Sequence, residues 1–95
     1  MNQVKIPIAV FRVGRIVSTP NALESITRED ILDGIGRHQA GDWGEVSFED
    51  AEANNRALAA GGRLLSVYRA RNGNKFWILT EADRSATTVL MPEDY

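Results

Sequence analysis

The chain reads as an α+β domain: an N-terminal strand, two or three short helices, then a three-stranded antiparallel meander packed against the helices. Three observations predict this order. Asn72-Gly73 lies between the apolar runs Leu64–Tyr68 and Phe76–Thr80, and Asn-Gly in that setting is the strongest short hairpin signal. Thr27-Arg28-Glu29-Asp30 and Ser47-Phe48-Glu49-Asp50 each place a hydroxyl three residues before an acid, the pattern of a helix N-terminus. Val4, Ile6, Ile8 and Val10 alternate with other residues, which is the period of a strand.

From the start, the alternation continues through Phe11, Val13 and Ile16 around Gly14, giving one long or bent strand whose early part Pro7 confines to an edge. Thr19-Pro20 then supplies an N-cap and a first helical residue for a brief helix through Leu23 and Ile26. After the Thr27 cap, Ile31, Leu32, Ile35 and His38 follow helical spacing. Gly34 and Gly36 each weaken that helix by about 1 kcal/mol relative to Ala, which points to close packing of its backbone against something else. Gly41-Asp42-Trp43-Gly44 closes the segment in a turn. From Ser47 the small residues Ala53, Ala57 and Ala59 make a slim helix that can lie close to a sheet and stop at Gly61-Gly62. The hairpin follows, then the polar loop Glu81–Ser85, and then Thr87–Met91 as a last strand that Pro92 ends.

Ninety-five residues with 43% hydrophobic and 25% charged content suit a single domain spanning 1–95. The chain has no cysteine, which removes a disulfide framework, a thiolate metal site and a cysteine nucleophile together. Met1–Lys5 lacks the pattern of a signal peptide and no stretch has the apolar length of a membrane span, so the expected location is cytoplasmic, without a membrane partner. Glycine-rich phosphate loops, paired metal-binding histidines and dinucleotide fingerprints are absent, so no cofactor and no metal are expected. The net charge of −2 speaks against general affinity for nucleic acid, but it is unevenly placed. Residues 42–52 hold five acids and no base, and residues 53–80 hold five bases, Arg56, Arg63, Arg69, Arg71 and Lys75, and no acid. On strands, Arg63, Arg69, Arg71 and Lys75 form a positive face for phosphates or an acidic partner, or else a solvated edge guarded against aggregation.

His38 is the only histidine. At a helix C-terminus its charged form is favoured, and it is then the sole imidazole for acid–base work; a capping or core-edge role competes with that. Asp42-Trp43 offers an acid beside a large amphipathic ring, either a stacking surface for a partner or a lid on the core. The loop Glu81–Ser85 is longer than a tight hairpin needs. Glu81 or Asp83 as general base, Arg84 as phosphate clamp and Thr87 or Thr88 as hydroxyl donor suit metal-independent RNA cleavage, against the alternative of an internally bonded turn.

His38–Gly44, Gly62–Tyr68, Trp77–Ser85, Thr87-Thr88 and Pro92–Tyr95 together resemble a family of small bacterial proteins labelled plasmid-related, some of them labelled type I restriction subunit M. The resemblance covers about residues 13–95 and implies an accessory protein of mobile elements. It transfers no activity, and a chain of this length does not hold a methyltransferase domain. The element order is also similar to the barnase, EndoU, colicin and RelE group of small ribonucleases, in topology alone.

Two functions follow as expectations. The first is an interaction module for a protein or nucleic-acid partner, binding through Asp42, Trp43, Arg63, Arg69, Arg71 and Lys75. The second is an endoribonuclease using His38, Glu81, Asp83, Arg84 and Thr87, which requires those groups to converge. A homodimer through a sheet edge is a third expectation.

Overall fold

A computed structural model describes residues 8–95. Its order is β1 (Arg15–Ser18), α1 (Pro20–Ser25), α2 (Arg28–Gln39), α3 (Phe48–Ala60), β2 (Leu64–Arg69), β3 (Lys75–Thr80), β4 (Ala86–Leu90) and a final 3₁₀ turn, Pro92–Asp94. Among the described residues no helix is long and apolar enough to cross a membrane.

The caps form where the sequence puts them. Thr19 accepts from the Ala22 amide, Thr27 and Asp30 exchange bonds in a full capping box, and Ser47 accepts from the Asp50 amide. The hairpin turns at Asn72-Gly73, with Gly73 at φ 90°, the Gly73 amide on the Ala70 carbonyl and the Asn74 amide on the Asn72 side chain. β2, β3 and β4 therefore make the expected antiparallel meander.

Two expectations are corrected. The meander is not the whole sheet: β1 pairs parallel with β4, giving four strands in the order β1-β4-β3-β2. The N-terminal strand is also much shorter than the alternation implied. Val4 to Pro7 lie outside the described residues, and residues 8–14 are not strand. Gly14, at φ 63°, presses its backbone so closely on the carbonyls of Arg84 and Ser85 that a Cβ has no room, and this bend starts β1 afresh. Before it, Val10 gives its amide to the Gln39 carbonyl at 2.8 Å, and Phe11 packs its ring against His38 and Trp43.

One face of the sheet carries Ser66 and Tyr68 on β2, Phe76, Ile78 and Thr80 on β3, and Thr87 and Val89 on β4, all buried. Ala22, Ile26 and Ile35 from the helical side close the core over it. Gly34 explains itself there, since its Cβ position lies 3.0 Å from both Ile78 and Phe76, so α2 lies directly on β3.

The outer edge of β2 is sealed twice. Asn54 of α3 accepts from the Leu65 amide at 3.1 Å and donates to the Leu65 carbonyl at 2.8 Å, as a neighbouring strand would. Two residues on, Val67 gives its amide to the Trp43 carbonyl and accepts from the Glu45 amide. The opposite edge, β1, receives no such cover among the described residues.

Candidate functional site

His38 lies in the last turn of α2, fully buried, with its ring between strands. Nδ1 is 2.6 Å from Ser66 Oγ and Nε2 is 2.8 Å from Thr80 Oγ1. Thr80 and Thr87 hydroxyls meet at 2.7 Å, and Thr87 donates to the Val13 carbonyl at 2.7 Å. The last of these bonds orders all the others. Since Thr87 spends its proton on Val13, Thr80 donates to Thr87 and its oxygen accepts from Nε2–H. The neutral ring then accepts at Nδ1 from Ser66.

Phe11 and Trp43 close the ring in edge-on, at centroid distances of 5.1 and 5.7 Å. Burial, with the charge of Arg84 adding to it, lowers the imidazole pKa from 6.5 to about 4. The helix C-terminus does not win that contest, and His38 is neutral at physiological pH.

Of the groups expected to join His38 in RNA cleavage, Thr87 shares its hydrogen-bond chain, while Glu81, Asp83 and Arg84 bond to other partners. Arg84, at φ 63°, donates to the Gly62, Ala57, Glu81 and Ala82 carbonyls and so caps the end of α3. Glu81 pairs with Arg63 at 3.5 Å. Asp83 accepts from the Ser85 amide at 2.9 Å, and its hydrogen bonds from Ser85 hold its carboxyl below the usual range. Thr87 belongs to the His38 chain, whereas Thr88 pairs with Leu79 on the other face. His38 hydrogen-bonds to none of Glu81, Asp83 or Arg84, although the Arg84 guanidinium lies against the same Phe11 ring as His38. Among the described residues no group of three or more His, Asp or Glu side chains is placed to hold a metal ion.

Of the expected binding residues, Trp43 is 6% exposed and its indole N–H donates to Asn55, so it is a lid and not a stacking platform. Arg69 and Lys75 share Glu45, and Arg71 joins Asp30 at 2.7 Å and Asp33 at 2.9 Å. With Arg63 on Glu81, each of the four expected bases has an acid. Asp42 holds Arg37 in a two-point pair at 2.7 and 3.2 Å, and that hydrogen bond keeps its carboxyl below the usual range.

The Arg37 and Arg71 pairs border a cleft of about 650 Å³ between α2 and the β2–β3 hairpin. Arg37, Arg69 and Arg71 wall it, with the Arg37 guanidinium 4.6 Å from the centre of the Tyr68 ring. The α2 wall presents Leu32, Gly36 and Ala40, one ridge at four-residue spacing. Gly36 differs from Gly34: a Cβ there meets nothing within 4 Å, and its φ is not positive.

Sequence reasoning passed over Ser66, Thr80 and Arg37. The first two carried a signal, a polar residue at an inward position of an apolar strand, beside Leu64 and Tyr68 or Ile78 in the alternation. Arg37 carried none, because its role depends on the turn that returns Asp42 to it. The chain matches no family model, no curated protein and no solved structure.

Proposed function

We propose that the protein is a non-catalytic interaction module, an accessory protein of mobile elements, that receives a helix of a partner protein in the cleft between α2 and the hairpin. Gly36 carries this reading. Glycine inside a helix costs about 1 kcal/mol relative to alanine, and nothing within the fold requires it at this position. A bare backbone flanked by Leu32 and Ala40 is the surface against which another helix packs closely, ridge beside groove. The rim, with its arginines already matched by carboxylates, suits the mixed charges of a protein surface better than a polyphosphate backbone. His38 supports the same reading, since its neutral ring is enclosed and both its nitrogens are engaged.

Gly36→Ala separates folding from binding. The substitution raises stability by about 0.5–1 kcal/mol and abolishes capture of the partner from a host extract. Capture of the same proteins by both forms counts against the cleft. RNA cleavage by the purified protein that disappears in His38→Ala favours the ribonuclease alternative.

A further inference from the structure

A second surface, distinct from the cleft, lies where β1 borders the sheet. In the parallel ladder with β4, Arg15 and Thr19 direct their amides inward, to the Ser85 and Val89 carbonyls. Alternation along the strand then turns the amides and carbonyls of Ile16 and Ser18 outward, where no described residue meets them. Beside this edge runs a groove of about 350 Å³ between β1 and the first two helices. Its walls are Ile16, Leu23, Ile26 and Ile31, and Ile16 and Leu23 are 47% and 63% exposed.

Past the end of β1 the Asp94 carboxylate accepts from Thr19, whereas the strand and the groove themselves carry only bases among the described residues. Among the described residues Arg28 is the only charged one lining the groove, and Arg15 stands on the strand itself. Neither has an ion-pair partner among the described residues, in contrast to the four bases on the meander side. Native sheets blunt or cover an exposed edge, and this chain does so thoroughly at β2.

We infer that β1 is a strand-addition site for an extended acidic segment of a partner protein, with an apolar residue at every second position. Its backbone pairs with Ile16 and Ser18. Its apolar side chains enter the groove over Leu23, Ile26 and Ile31, as the period of two along a strand provides. Its alternate carboxylates fall on the other face of the sheet, beside Arg15, whose ladder partner Ala86 alternates with the inward Thr87. A second copy of this chain brings the same arginines to the same margin, which is why an acidic partner strand fits better.

The test uses the full chain and two capped synthetic peptides, one alternating glutamate with valine and one alternating lysine with valine. Titration followed by NMR should show saturable shifts centred on Ile16, Ser18 and Leu23 with the glutamate peptide, and slower exchange of the Ile16 and Ser18 amides. The lysine peptide should bind at least about tenfold more weakly. Ile16→Pro removes an amide that the β4 ladder does not use, so the fold should persist and binding should be lost. Arg15→Glu leaves the outward amides of the strand untouched and should erase the preference between the peptides.

Four results overturn the proposal: no binding of the glutamate peptide, equal binding of both peptides, Ile16 and Ser18 amides already protected in the free monomer, or a dimer in sedimentation that Ile16→Pro dissolves. The last would make a second copy the occupant.

Discussion

At the scale of single residues, His38 shows how an ionisable group can be held by its neighbours in one state. Thr80 and Thr87 each donate once and accept once, Ser66 donates to Nδ1, and a proton added at Nδ1 would leave Ser66 facing a donor. The unfolded chain binds that proton near pH 6.5, the folded one only near pH 4. Stability from this group is therefore complete above about pH 6.5 and falls as pH drops toward 4, by about 3 kcal/mol in all. Because His38 is the only histidine, chemical denaturation between pH 6.5 and 5 should show a slope approaching one proton, before the carboxylates contribute. An imidazole NMR titration with a midpoint near 6.5 would refute the enclosed ring. The sequence displayed His38 but not its confinement, because Ser66, Thr80 and Thr87 are far apart along the chain and come together only through strand register.

Among the elements, α2 contains the clearest internal comparison. Gly34 and Gly36 are two residues apart and face different surroundings, one on Ile78 and Phe76, the other on the open cleft. Gly34→Ala should lower stability by about 1–3 kcal/mol through overpacking against β3, while Gly36→Ala should raise it, both read from denaturant midpoints. Asn54 on α3 gives a second test, since its side chain takes the place of a neighbouring strand along β2. Asn54→Ala should cost about 1–3 kcal/mol and bring forward the protein's elution from a gel-filtration column at high concentration, as the freed edge begins to associate. The helix starts and the hairpin were legible because caps and Asn-Gly turns act over three or four residues. The parallel placement of β1 was not, since the only local sign is Gly14, and its partner carbonyls lie in the loop before β4.

Across the whole molecule, the two charge blocks that the sequence sets in succession fold toward one another. Glu45 from the acidic block meets Arg69 and Lys75 from the basic one, and acids outside the block neutralise Arg63 and Arg71. A linear count of charges could not show these pairs. Arg15 on β1 and Arg28 at the start of α2 have no ion-pair partner among the described residues. β1 also gives the molecule its longest connection: residues 15–18 find their ladder partners at residues 86–89, and Thr19 and Asn21 bond the carboxylate of Asp94. A ribosome-bound chain arrested before Ala86 should accordingly remain open to proteases throughout β1 and α1, and protection there should arrive in one step when the last strand emerges. In translation, β1 is a latch made well before its catch, and until residues 86–94 emerge to close it the nascent chain depends on whatever shelters it.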